Sequence, residues 1–305
     1  MRLVTTVIGS FPRLHEDLKT AVRLAVDLQV EIGIDIVSDG EQRADMISYL
    51  SNSMRGIEAK DGRIHIVDRI RPLADAEDSF KIIDFLEAMN HVRKMGYSNK
   101  IKVGVTGPVT LGFSAALAGV GPYGNIRNVE LYADAAFAIN GILKQIQSYE
   151  GLTQIDEPGI SAGFLDPQLA YEPLSIATEG LDPRLTSIHV CGKLSLKAIG
   201  SLNRVKNVET LSLEFAGSPK NIDILSNLSS TLSKKIGVGC MRVNITSEND
   251  LTTVSNAAET IKIVASKIGA ERIAYIHPNC GLRGTEKSLA LRILRNLVEV
   301  SSITL

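Results

Sequence analysis

The sequence predicts an α/β protein: a single closed (β/α)8 barrel of TIM type over residues 1–305, with a small strand or hairpin insertion near 62–73. Three observations carry this reading. Short β-branched runs alternate with longer stretches of helical periodicity about eight times, which is the arithmetic of a closed barrel. No Pro/Ser-rich linker or low-complexity tract divides the 305 residues, which favours one domain over the two that length alone suggests. The 44% hydrophobic content suffices for a core that buries roughly three quarters of the surface such a chain exposes when extended. A doubly wound open sheet is the competing architecture for the same alternation.

The elements follow in order. An apolar run at 3–8 leads to 16–32, where Leu18, Val22, Ala25, Val26, Leu28 and Ile32 fall at helical spacing and mark one buried face. A short strand at 35–37 precedes a loop and a helix at 46–54. Segment 62–73 alternates apolar and polar residues around Ile64, Ile66 and Ile70, the period of a strand, and a helical pattern fills 78–95. Strands at 101–106, 152–155, 186–190, 209–215, 235–240 and 272–276 then alternate with helices at 129–149, 167–178, 194–202, 221–228, 250–268 and 286–300.

Composition excludes several classes. With 33 basic against 34 acidic residues, nothing suggests a nucleic-acid partner. No run approaches the ~18 apolar residues of a membrane span, and the run at 3–8 is too short for a signal-peptide core of about 7–15 residues. Three cysteines cannot all pair within one chain, which points to a reducing compartment. The chain reads as a soluble cytoplasmic protein.

One constellation carries chemistry. His189-Val190-Cys191 ends the fifth predicted strand, Glu214 the sixth, and Cys280 follows the eighth. Alternate residues on a strand point the same way, so His189 and Cys191 can converge, and a barrel gathers successive strand ends at one rim. Two thiolates, an imidazole and a carboxylate make a tetrahedral zinc set. Spacing alone equally admits two thiols packed as small hydrophobes beside a hydrogen-bonded core histidine. Cys240 reads as packing, and His277 as a spare ligand ranked below His189. Two motifs are set aside. Gly119-Val-Gly-Pro-Tyr-Gly124 spells a dinucleotide fingerprint but follows no strand and contains Pro122, so it reads as a loop. Gly104-Val-Thr-Gly-Pro108 lacks the Lys-Ser/Thr of a phosphate loop and reads as a strand-end turn.

Seven motifs in order, Ile8-Gly-Ser-Phe-Pro12, Asp39-Gly-Glu-Gln-Arg-Ala-Asp-Met46, Gly107-Pro-Val-Thr110, Gln154-Ile-Asp-Glu-Pro158, His189-Val-Cys191, Ser212-Leu-Glu214 and Asn279-Cys-Gly-Leu282, span almost the whole chain. Together they resemble the catalytic, C-terminal half of cobalamin-independent methionine synthase, in the form of the short archaeal and bacterial core enzymes that consist of that half alone. The resemblance implies a (β/α) barrel in which His189, Cys191, Glu214 and Cys280 hold Zn2+. It also implies transfer of a methyl group to the thiol of L-homocysteine, giving methionine. It places the substrate carboxylate at Ile8, Gly9 and Ser10 and the amino group at Glu41 and Asp156. Two carboxylates at strand ends suit an ammonium group. Read alone, Glu41 is a loop charge and Asp156 a helix cap before Pro158.

The methyl donor follows from departures within that resemblance. The chain has no tryptophan, whereas the folate-dependent enzymes stack a pterin on one; Phe113 lies nearest that place. Thr246 stands about where the long enzymes place a proton-donating histidine, and their N-terminal half is missing. A methyl on a tertiary amine needs the nitrogen protonated before it leaves, whereas a methylcorrinoid needs no proton. The expected donor is therefore a methylcorrinoid on a partner protein, with a methylated pterin of folate or methanopterin type as the alternative. A methyltransferase for another small thiol such as coenzyme M ranks second, because a sulfonate would want basic contacts. A non-catalytic zinc-binding partner subunit ranks below, and predicts a closed four-ligand site.

Overall fold

The computed structural model describes residues 2–60, 62–228 and 230–303. In chain order its elements are α1 (Leu18–Ile32), β1 (Ile36–Val37), α2 (Met46–Leu50), β2 (Met54–Lys60), β3 (Arg63–Pro72), α3 (Phe80–Met95), β4 (Lys100–Thr106) and α4 (Pro108–Ala116). They continue with α5 (Val129–Ser148), β5 (Leu152–Asp156), α6 (Pro158–Ser161), α7 (Tyr171–Ala177), β6 (Thr186–Val190) and α8 (Leu196–Asn203). The last are β7 (Thr210–Glu214), α9 (Pro219–Leu228), β8 (Lys235–Met241), α10 (Val254–Ile268), β9 (Ile273–Pro278) and α11 (Lys287–Val300). Among the described residues no helix is long and apolar enough to cross a membrane.

Seven of the strands form one parallel sheet in the order β1-β4-β5-β6-β7-β8-β9. The N-terminal segment closes it. Thr5 bridges to Ile276 of β9 and Thr6 to Ile36 of β1, both in parallel. The Thr6 N–H donates to Ile276 O at 3.0 Å, the Ile276 N–H to Val4 O at 2.8 Å, and the Ile36 N–H to Thr5 O at 3.0 Å. The expected strand at 3–8 is thus the eighth member of the ring, reduced to two bridging residues. Asp35 pins it by accepting from both the N–H and the hydroxyl of Thr5, each at 2.8 Å.

Alternation along the strands sorts the core. Val103, Val105, Ile155, Ile188, Val190, Leu211, Leu213, Ile236 and Val238 are buried in the hydrophobic cluster between sheet and helices. Their neighbours face the barrel interior, which is polar: Lys102, Gln154, His189, Ser212 and His277 are all buried. Gly237 makes room there for Tyr275, whose ring would lie 2.3 Å from a Cβ at that position.

The insertion is larger than its alternating half. β2 and β3 form an antiparallel hairpin from Met54 to Pro72, so the expected helix at 46–54 stops at Leu50. Ser51, Asn52 and Ser53 favour a turn over a further helical turn. The register shifts between Arg55 and Ile57. Gly56 sits there at φ 86° with the Arg69 carbonyl 2.3 Å from where a Cβ would be. Ile64, Ile66 and Ile70 are buried as their spacing predicts. Arg69 ties the hairpin to α5 through Asp134 at 3.1 Å and Glu130 at 3.0 Å. Two further differences stand out. The helix expected at 167–178 forms only over Tyr171–Ala177. α4 was not expected at all; Gly107 offers it no capping side chain, and the cap comes from Glu157 on another loop.

Candidate active site

The C-terminal ends of the strands surround a cavity of about 230 Å3. One wall is Ile8, Gly9 and Ser10, carried by the closing N-terminal segment; another is Glu41 and Asp156; the third is His189, Cys191 and Cys280. Eight of the nine residues singled out in the sequence therefore meet in one space. A larger cavity of about 370 Å3 lies between α5 and α7, lined by Tyr132, Leu169 and Tyr171 among others, and among the described residues no metal-ligating cluster opens onto it.

His189 is the penultimate residue of β6, Cys191 directly follows that strand, and Cys280 lies two residues past β9. One ligand atom from each falls within 4.8 Å of the others. His189 Nδ1 lies 3.0 Å from Ser212 O; a carbonyl only accepts, so Nδ1 carries the proton and Nε2 keeps its lone pair. That Nε2 is buried and has no hydrogen-bond partner, and the neighbouring Cys280 thiol favours positive charge on the ring. A histidine whose far nitrogen is fixed by a backbone carbonyl is the usual state of a metal ligand. The Cys280 thiol holds Cys191 below the usual thiol range, while the same contact, with burial, pushes Cys280 well up. Two thiols sharing one proton leave a thiolate ready for a cation. The donor set of one imidazole nitrogen and two sulfurs therefore fits zinc.

Glu214 ends β7 but stands outside this group. Its Oε2 accepts from the Gly192 N–H at 2.8 Å and its Oε1 from Ser218 Oγ at 2.9 Å, so it sits back, engaged by protein donors. His277 does not serve as a spare ligand. Its Nε2 lies 2.9 Å from Ser212 Oγ and its Nδ1 2.7 Å from Pro278 O, and burial pushes its pKa well down, leaving a neutral core imidazole. Cys240 is packing, as read: it is fully buried, and burial pushes its thiol up to about 12.

The carboxylates are held by residues that sequence reasoning missed. Glu41 has φ 46°, a sparsely populated conformation for a side-chain-bearing residue. Its N–H donates to Asp39 Oδ1 at 3.0 Å and its carbonyl accepts from Arg283. Its Oε1 lies 2.8 Å from Nζ of Lys81 on α3, a side chain with no exposed surface. Asp156 ends β5 and is buried; burial raises its pKa to about 6. Gln154 donates from Nε2 to Asp156 Oδ1 at 2.7 Å and to Ile8 O at 2.9 Å, and its Oε1 takes Lys102 Nζ at 2.7 Å. Gly104 is close-packed against both acids: a Cβ there would lie 2.7 Å from Asp156 Oδ2 and 3.1 Å from Glu41 Oε1. Lys102 carried a signal, a charge inside a β-branched run, whereas Lys81 reads as any helix lysine.

Ser10 passes its carbonyl to the Leu282 N–H at 2.7 Å, and Gly9 its carbonyl to Ser38 Oγ at 2.9 Å. Among the described residues the N–H groups of Gly9 and Ser10 make no hydrogen bond to the protein. The segment Gly121–Tyr123 of the set-aside glycine motif forms a 3-10 turn within a loop. Phe113 on α4 stacks on Phe164 with ring centroids 4.3 Å apart at 18°.

A family model described as "Cobalamin-independent synthase, Catalytic domain" matches residues 13–302. The chain is similar to a methionine synthase of Methanothermobacter marburgensis, at 32% identity over 320 residues covering 98% of this chain and 99% of that one. A methionine synthase of Methanocaldococcus jannaschii is 29% identical over 325 residues, covering 99% of each. Among solved structures, a B12-independent methionine synthase from Shewanella sp. W3-18-1 in complex with selenomethionine shares the fold. Its TM-score is 0.75 at 20% identity, covering 99% of this chain and 97% of that one.

Proposed function

The chain belongs to the cobalamin-independent synthase catalytic-domain family and is a methyltransferase, and from that premise we propose that it methylates the thiol of L-homocysteine to form methionine, with residues 1–305 acting as one catalytic barrel. The observation that carries this reading is the unpartnered His189 Nε2, which shares a cavity with two thiols and two carboxylates.

His189, Cys191 and Cys280 would hold zinc, and Glu214, which now accepts from the Gly192 N–H and Ser218 Oγ, would serve as a fourth ligand that gives way to the substrate thiol. When bound, zinc would supply a soft cation that keeps a thiol ionised and nucleophilic near neutral pH. The protein's own groups supply position. Glu41 and Asp156 take the substrate ammonium, and Lys81 and Gln154 orient those two carboxylates. Gly9 and Ser10 offer free N–H groups to its carboxylate. With both ends of the amino acid fixed, the thiol reaches toward Cys191 and Cys280, aligned for attack on an incoming methyl carbon. The carbon–sulfur bond forms as the bond to the donor breaks.

The donor is a methylcorrinoid carried by a partner protein. Transfer from an amine would require an acid at the leaving nitrogen. Of the carboxylates at the cavity, Glu41 is paired with Lys81, Asp45 accepts from the Ile47 and Ser48 N–H groups, and Asp156 accepts from Gln154 and is committed to the substrate ammonium. A methylated pterin is the second reading, favoured by the stacked Phe113–Phe164 pair, which offers an aromatic face. Three unpaired cysteines suit a reducing compartment such as the cytoplasm. Turnover of homocysteine by zinc-loaded protein decides between these donors. Methionine should form faster from methylcobalamin than from methyltetrahydropterins; the opposite order reverses the donor assignment, and no methionine from either overturns the reaction.

A further inference from the structure

Arg283 belongs to no motif assigned above, yet it lines the cavity beside Ser10 and Gly281. Its loop and the N-terminal segment form one wall. The Leu282 N–H donates to Ser10 O at 2.7 Å, and Gly281 is packed so closely that a Cβ would fall 2.1 Å from Ser10 Oγ. One terminal nitrogen of Arg283 donates to the Glu41 carbonyl, which fixes the guanidinium in place. Its Nε is buried and has no partner. A guanidinium is a rigid fork of five donors that cannot shed its charge. Among the described residues the one protein acceptor it meets is the Glu41 carbonyl, so the remaining terminal N–H groups of a side chain that lines the cavity are left to meet an acceptor there.

We propose that Arg283 is a specificity-determining residue that binds the substrate's carboxylate, together with the free N–H groups of Gly9 and Ser10. This inference rests on the reading of the acceptor as an amino-acid thiol and deepens it. The cavity lining offers both signs of charge: Arg283 and the Gly9 and Ser10 N–H groups for an anion, Glu41 and Asp156 for a cation. Such a site selects a zwitterion and discriminates against a thiol that carries an amine alone.

The test compares two ligands on zinc-loaded protein by calorimetry: homocysteine, and 3-aminopropanethiol, which is the same molecule without its carboxylate. Wild type should prefer homocysteine, and Arg283→Gln should weaken homocysteine by about 10- to 100-fold, the worth of one charged hydrogen bond, while leaving 3-aminopropanethiol unchanged. Arg283→Lys should fall between, because it keeps the charge and loses the fork. Zinc content and thermal melting report whether each variant is folded. An equal loss for both ligands would mean that Arg283 acts only by holding Glu41, and overturns the proposal, as does an unchanged preference in Arg283→Gln. Binding of neither ligand to wild type would fail the homocysteine reading itself, and this inference with it.

Discussion

Lys81 and Lys102 show what single side chains contribute to this site. Lys81 is fully buried, lies 2.8 Å from Glu41 and sits with its Nζ 4.0 Å above the Tyr49 ring. Removing one partner of a buried pair leaves the other charge uncompensated. Lys81→Met should therefore lose about 3–5 kcal/mol in urea unfolding, and adding Glu41→Gln should recover part of it; equal stability of the single variant and wild type would contradict the pairing. Lys102 has a different signature. Burial lowers its pKa from 10.5 to about 7, so between those values the unfolded chain binds one proton more than the folded one. Stability then rises with pH across that window, and below about pH 7 the penalty is constant. In Lys102→Met the slope of stability against pH should be smaller by about 1.4 kcal/mol per unit over that range; an unchanged slope would show that burial does not lower the Lys102 pKa. The His189, Cys191 and Cys280 cluster was legible because these residues sit at or just past strand ends. Lys81, Gln154 and Arg283 were not, since only the folded chain reveals which acids they touch.

At the scale of elements, α4 depends on a distant residue. Glu157 accepts from the Val109 N–H at 2.8 Å, the Thr110 N–H at 3.0 Å and Thr110 Oγ1 at 2.7 Å. It thereby meets helix donors that no local side chain reaches. Glu157→Ala should cost about 2–4 kcal/mol, as buried donors go unmet, and Glu157→Gln less, because its carbonyl oxygen still accepts; denaturant midpoints check the order. This explains why α4 was invisible in the sequence. Its cap lies 47 residues from Thr110, and a run containing Gly107, Pro108 and Gly112 has weak helical propensity. The long amphipathic helices α1, α5, α10 and α11 were legible from their apolar spacing. The hairpin was half legible: β3 alternates cleanly, whereas β2 has only Met54 and Ile57 buried.

For the whole molecule, the decisive feature is that the ring is closed by the segment that also forms one wall of the cavity. Thr5 and Thr6 complete the sheet, and Ile8, Gly9 and Ser10 line the cavity directly after them. Stability and substrate binding are thereby coupled. Asp35→Ala, which removes the acceptor of the Thr5 N–H and hydroxyl, should destabilise the fold by about 1–3 kcal/mol and also weaken homocysteine binding, although Asp35 does not line the cavity; loss of stability with full affinity would contradict the coupling. Barrel architecture was legible because strand and helix periods alternate along the whole chain. Closure by only two bridging residues was not, because register is a property of the assembled ring.

The most direct test of the whole account is X-ray absorption at the zinc edge of the loaded protein, with and without homocysteine. Two sulfur neighbours should be present before substrate and three after it, with the oxygen contribution falling as Glu214 withdraws. A first shell that does not change on adding homocysteine, or one with no sulfur neighbours, would contradict it.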